Sequence, residues 1–151
     1  MTESKATESK VRVLLVDDER DFVEMLATRM RARGLRVETA ESGEEAIDKV
    51  GQGSFHVVVL DLAMPGMDWI ETFERITEIA PDIQVIFLTG HGTIQTAFQA
   101  MKQGAADFLE KPASFQELFD KVNKAGQRTM LLVQERAVEQ VADILPKKGW
   151  E

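Results

Sequence analysis

One stretch constrains the fold more than any other: Val57-Val58-Val59-Leu60-Asp61-Leu62-Ala63-Met64-Pro65-Gly66, an apolar run that ends in a carboxylate and is closed at once by a Pro-Gly turn. A branched run of this length without polar alternation reads as a strand buried on both faces, as in parallel sheets. Asp61 then stands at the strand's C-terminal end, where open α/β sheets bind their ligands. An Asp before Pro-Gly can also do no more than begin a turn. The neighbouring segments decide between the two.

Residues 1–10 repeat Thr, Glu, Ser and Lys without periodicity and read as a disordered tail. Val11 to Val16 reads as a strand by its branched residues, and it ends in three acids, Asp17-Asp18-Glu19, repeating the pattern at Asp61. Phe22, Leu26 and Met30, with Val23 beside them, mark one face of a helix that Gly34 stops. Leu35 to Thr39 is a short strand. Ser42-Gly43-Glu44-Glu45 has the form of a capping box opening a second helix, which leads to the central strand, Phe55 to Leu60. Asp68 can cap a third helix carrying Ile70, Phe73 and Ile76, closed by Pro81. Ile83 to Leu88 is a further apolar strand ending at Thr89-Gly90-His91-Gly92, and Ile94, Ala97, Phe98 and Met101 take helical spacing up to Gly104. A last strand, Ala106 to Leu109, ends in Glu110-Lys111-Pro112, and Ser114-Phe115-Gln116-Glu117 is a second capping box opening the final helix.

Five strands alternating with five helices require right-handed crossovers and a parallel sheet with helices on both faces. All strand ends then meet at one edge. There the sequence places Asp17, Asp18, Asp61, Thr89 and Lys111: three carboxylates, a hydroxyl and an ammonium.

Composition narrows the chemistry these groups can do. Without cysteine there are no disulfides, thiol nucleophiles or thiolate-zinc sites, and His56 and His91 are too few for a histidine metal cage. A net charge of -8 lacks the basic footprint of a nucleic-acid binder, so no direct nucleic-acid binding is expected. No run reaches the roughly 18 apolar residues of a membrane span, and the N-terminus lacks an apolar signal core, so no membrane association and a cytoplasmic location are expected. Clustered carboxylates repel one another unless a cation offsets their charge, and their hard oxygens suit Mg²⁺. A carboxylate beside a metal, an ammonium and a hydroxyl can act as a nucleophile toward phosphorus and form an aspartyl phosphate.

These residues resemble the receiver domain of bacterial two-component response regulators over residues 11–125: Asp17-Asp18 after the first strand, Asp61-Leu62-Ala63-Met64-Pro65-Gly66-Met67-Asp68 after the third, Thr89 after the fourth and Lys111-Pro112 after the fifth. The resemblance implies a flavodoxin-like doubly wound (βα)5 fold with strand order 2-1-3-4-5. It also implies that Asp61 accepts a phosphoryl group from a sensor histidine kinase or phosphotransfer protein. Asp17, Asp18, Asp61 and the backbone carbonyl of Ala63 would hold Mg²⁺. Thr89 and Lys111 would bind the phosphoryl group, and Phe108 would turn inward with Thr89 as a switch. The output face would be the fourth helix, fifth strand and fifth helix. The domain would accept and lose phosphate by its own catalysis without being a turnover enzyme. Gly90-His91-Gly92 with Phe108-Leu109-Glu110-Lys111-Pro112 further resembles receivers of the nitrogen-regulation activator class.

Two positions depart from the family pattern: Trp69 stands where most receivers have glycine, and Ala63 brings no side chain where a polar one is common. His91 reads as a residue at the site's rim that tunes water access, and His56, entering a buried strand, as structural. Gly51-Gln52-Gly53 lies between a helix and a strand and is a turn, not a dinucleotide fingerprint.

Residues 126–151 form a C-terminal extension. Met130, Ala137 and Ile144 recur at seven-residue spacing with Leu131, Val138 and Leu145 beside them. An apolar stripe beyond the core suggests a helix partner, either a second copy or a downstream domain, with Gly126 loosening the junction; the alternative is a helix that folds back on its own domain. A homodimer through this helix or through the fourth helix, fifth strand and fifth helix is expected. The Met1 start and Pro146-containing end favour a stand-alone receiver over a fragment of a longer regulator. Two other readings compete with the phosphoryl switch. An Asp-nucleophile phosphatase of the haloacid dehalogenase type would need a second Asp where Ala63 stands, as general acid. A receiver-like interaction module independent of phosphate is the alternative; such modules usually lose an acid, the Thr or the Lys, and none is missing.

Overall fold

The computed structural model describes residues 11–90 and 94–144. Five strands, β1 (Arg12–Val16), β2 (Arg36–Ala40), β3 (Val57–Leu60), β4 (Gln84–Thr89) and β5 (Asp107–Glu110), alternate with α1 (Arg20–Ala32), α2 (Gly43–Gln52), α3 (Trp69–Ile79), α4 (Ile94–Lys102) and α5 (Phe115–Ile144). The sheet is wholly parallel, in the order β2-β1-β3-β4-β5. The parallel sheet is the one the alternation predicts, and its strand order is that of the flavodoxin-like architecture the resemblance implies.

Period-two alternation in each strand divides the core into two layers. Val13, Leu15, Val57, Val59, Ile86 and Leu88 face one side and pack with Leu26 and Met30 of α1 and Leu118 and Val122 of α5. Leu14, Val16, Val58, Leu60, Val85 and Phe87 face the other and pack with Val50 of α2, Phe73 and Ile76 of α3 and Ala100 of α4. Every residue of β3 is buried, the reason its sequence shows no polar alternation.

The predicted caps form. Ser42 Oγ accepts from the Glu45 N–H at 3.0 Å, while Glu45 reaches back to the Glu41 N–H at 2.8 Å rather than to Ser42 itself. Asp68 Oδ1 accepts from the Ile70 and Glu71 N–H groups, and Ser114 Oγ from the Glu117 N–H at 3.0 Å. Gly66 completes the Pro-Gly turn at φ +74°, a left-handed conformation that costs a glycine little.

The far end of the chain differs from expectation. α5 runs unbroken from Phe115 to Ile144, and Gly126 does not loosen it. Gly126 is buried against the first residue of the fold: a Cβ there would lie 2.4 Å from Val11 Cγ1. Its missing side chain lets α5 approach β1. One turn further, Thr129 Oγ1 donates to the His56 carbonyl at 2.6 Å, and Arg136 forms a bidentate pair with Asp82 at 2.9 and 2.7 Å. Among the described residues no helix is long and apolar enough to cross a membrane.

Candidate functional site

Because every strand is parallel, the C-terminal ends of β1, β3, β4 and β5 meet at one edge of the sheet, and the loops that follow them build a single cluster. Asp17, Asp18 and Asp61 each bring a carboxylate oxygen within 4.8 Å of the others. Asp17 and Asp61 are buried at 5% and 6% exposure, while Asp18 is exposed. Two of these acids are also held by the backbone: Asp61 Oδ1 accepts from the Ala63 N–H at 3.0 Å and Asp17 Oδ1 from the Glu19 N–H at 2.9 Å.

Lys111, at the end of β5, extends its ammonium into this cluster. Nζ donates to Asp17 Oδ2 at 2.9 Å and to Glu19 Oε1 at 3.1 Å, and lies 3.9 Å from Asp61 Oδ2 and 4.5 Å from the centre of the Phe22 ring. Burial alone would depress the Lys111 pKa, but Asp17 and Glu19 outweigh it and hold the group above the ordinary lysine value. The balance at Asp61 runs the other way. Burial, reinforced by Asp17, pushes its carboxyl above the usual range, and the Ala63 N–H and Lys111 only partly offset this.

Thr89 is 1% exposed, and among the described residues its hydroxyl has no hydrogen-bond partner. It lies near enough to Asp61 to favour the carboxylate weakly, yet outside hydrogen-bonding geometry. A buried hydroxyl without a partner costs stability, which marks this position as one where a ligand oxygen would be welcome. The three acids fit a divalent cation on the same grounds: a hard positive charge would offset the burial cost and mutual repulsion that raise Asp61.

The structure therefore brings together Asp17, Asp18, Asp61, Thr89 and Lys111 as the sequence predicts. Phe108 is half-buried on β5 against the α2–α4 layer and beside Phe87 in register. Trp69 packs edge-on against Phe87 with ring centres 5.3 Å apart, so it extends the core at the head of α3. His56 is structural: its Nδ1 accepts the Arg12 N–H at 3.0 Å, and burial with the nearby Arg12 charge lowers its pKa. His91 lies outside the described residues. Sequence reasoning missed the hold of Glu19 and Phe22 on Lys111. The acid triple at the end of β1 was the available signal for Glu19; nothing local signals Phe22.

A model of the response regulator receiver domain matches residues 13–123. The chain belongs to this family. The receiver is 32% identical over 131 residues to the C4-dicarboxylate transport transcriptional regulatory protein DctD of Rhizobium meliloti, covering 87% of this chain and 28% of that protein. It thus spans under a third of the relative's length. Among solved structures it is similar to a beryllofluoride-activated NtrC4 receiver domain dimer, at 38% identity and a TM-score of 0.73, covering 78% of this chain and 98% of that one. That match bears out the resemblance to receivers of the nitrogen-regulation class. It is also similar to a response regulator of Burkholderia pseudomallei with a phosphorylated aspartic acid, a calcium ion and citrate, at 28% identity and a TM-score of 0.71, covering 85% of this chain and 74% of that one. The expectation of no nucleic-acid binding loses weight against the Rhizobium relative, a transcriptional regulatory protein by name. Net charge averages over a whole surface and does not report on a local patch.

Proposed function

We propose that this receiver accepts a phosphoryl group on Asp61 from a phosphohistidine of a sensor kinase or phosphotransfer protein. A carboxylate oxygen of Asp61 would form the new bond to phosphorus as the bond from phosphorus to the imidazole nitrogen breaks, the nitrogen keeping the electron pair. The observation that carries this reading is the convergence of three carboxylates within 4.8 Å beside a lysine and a buried threonine hydroxyl that has no partner among the described residues. Asp17, Asp18, Asp61 and the carbonyl of Ala63 would hold Mg²⁺, which supplies positive charge for the phosphoryl oxygens when bound. Thr89 would donate its hydroxyl to the phosphoryl group. Lys111, already within 3.9 Å of Asp61, would exchange part of its hold on Asp17 and Glu19 for that group.

The signal would leave through α4, β5 and α5. Phe98 and Met101 are exposed on α4, at 66% and 44%, and Phe108 is only half-buried on the adjoining strand, so this face has both contact surface and a side chain able to change packing. Residues 11–125 would constitute the receiver and 126–151 an extension that, together with this face, pairs two copies. Phosphate would bias a two-state element rather than build a new one. Cytoplasmic action follows from the same reading, because the phosphoryl donor is a kinase.

Intact mass with and without acetyl phosphate and Mg²⁺ tests the acceptor role. The expected result is a gain of one phosphoryl group that needs Mg²⁺ and is absent in Asp61→Asn. No gain from acetyl phosphate or from a phosphorylated kinase, in folded protein, would leave a receiver-like interaction module independent of phosphate.

A further inference from the structure

The first turn of α1 holds the Lys111 ammonium in a way that the acceptor chemistry does not need. Glu19 stands at the N-terminus of this helix: its carbonyl accepts from the Val23 N–H at 3.0 Å, and its own N–H donates to Asp17 Oδ1 at 2.9 Å. A side chain in this place commonly turns back onto the open N–H groups of the first turn, as Asp68 does for α3. The Glu19 carboxylate makes no such bond. It accepts instead from Lys111 Nζ at 3.1 Å. Phe22 follows three residues on, on the same side of the turn, and its ring centre lies 4.5 Å from the same nitrogen.

Lys111 is anchored at its other end. Its N–H donates to the Thr89 carbonyl at 2.8 Å, so the backbone is fixed and only the side chain can carry the ammonium from one partner to another. An ammonium has three N–H bonds. Two go to Asp17 and Glu19, while Asp61 Oδ2, at 3.9 Å, lies beyond hydrogen-bond reach. Asp17 belongs to the carboxylate cluster that suits a divalent ion, and Glu19 lies outside it. With Asp17 engaged by a cation, Glu19 and Phe22 are what retain the ammonium on the α1 side.

We propose that Glu19 and Phe22 form a resting place for the Lys111 ammonium and compete for it with the phosphoryl group on Asp61. Both are positioning residues, acting on the acceptor only through Lys111. The proposal rests on the acceptor reading of Asp61 and adds what opposes it. The Glu19 side chain is 65% exposed, so its ion pair is weak, and the aromatic contact is of similar strength. A phosphoryl group can therefore draw the ammonium away, and breaking the two contacts lowers the site's affinity for that group.

Beryllofluoride, a tetrahedral phosphoryl mimic on carboxylates, is the probe, titrated with Mg²⁺ into the full chain and read by NMR as a Kd. Glu19→Gln and Phe22→Leu should each tighten its binding about two- to fivefold, with folding checked by circular dichroism. Glu19→Asp separates contact from charge: it keeps the charge but is shorter and suited to cap α1, so it should tighten binding as Glu19→Gln does. Side-chain ¹⁵N spectra of the ion-free protein give a second readout, in which all three variants should shift the Lys111 ammonium signal. Tightening by Glu19→Gln alone would show that only net charge near Asp61 counts and would overturn the proposal. Phosphoryl mass after acetyl phosphate is read in parallel. Wild type that binds the probe or gains a phosphoryl group, with Glu19→Gln and Phe22→Leu unchanged or weaker in binding, overturns this proposal alone. Wild type that does neither overturns the acceptor reading and this proposal with it.

Discussion

Gly126→Ala tests whether α5 is seated on β1 as closely as the structure has it. In an exposed helix this change would gain about 1 kcal/mol from backbone propensity. Here the added Cβ would lie 2.4 and 2.9 Å from the two methyls of Val11 and 3.2 Å from its Cβ. Carbon atoms pack at about 3.5–4.0 Å, so the overlap exceeds 1 Å on a side chain that is 1% exposed and immediately precedes β1. Overpacking of this kind costs roughly 1–3 kcal/mol, and the depth of the overlap puts it at the upper end. The net expectation is a loss of about 2 kcal/mol, or roughly 4–8 °C in Tm for a chain of this size. Urea unfolding followed by circular dichroism, alongside a thermal scan, measures both. In a Val11→Ala background the two clashing methyls are gone, and Gly126→Ala should come out near neutral, a coupling of about 2 kcal/mol. A Gly126→Ala protein as stable as wild type or more so would show that α5 has room to spare against β1 and would refute the close-approach argument.

Three further outcomes follow from the geometry. Asp61→Asn should be more stable than wild type in chelator at neutral pH: the folded pKa of Asp61 is raised, so the cost of its charge is fully present above that pKa and vanishes below the unfolded value, and the gap in Tm between the two proteins should close as pH falls. Thr129→Val should lose about 1 kcal/mol of stability in urea titrations, a modest cost because the His56 carbonyl still accepts from the Gln84 N–H. In carboxyl-detected NMR titrations Asp82 should ionise below the ordinary Asp range because of its hydrogen bonds from Arg136, and Arg136→Gln should return it toward that range. The stabilisation from this pair is present above the unfolded Asp pKa and lost as pH falls through the folded one, so the variant and wild type should converge in acid.

The alternation of elements, the caps and the edge where the site forms are all legible in the unfolded chain. Each of these is local. The unbroken apolar run of β3 requires burial on both faces, Ser42, Asp68 and Ser114 satisfy N–H groups two or three residues away, and a parallel sheet necessarily gathers Asp17, Asp61, Thr89 and Lys111 at one edge. What those groups touch depends on contacts between residues far apart in the chain. Glu19 and Lys111 are 92 positions apart, Asp82 and Arg136 are 54 apart, and Gly126 meets Val11 across the whole domain. The sequence alone made Gly126 a loose joint, because glycine weakens an isolated helix. In the folded protein the same missing side chain lets the helix lie against β1, since packing against a neighbouring element outweighs intrinsic propensity by more than the kilocalorie that propensity is worth.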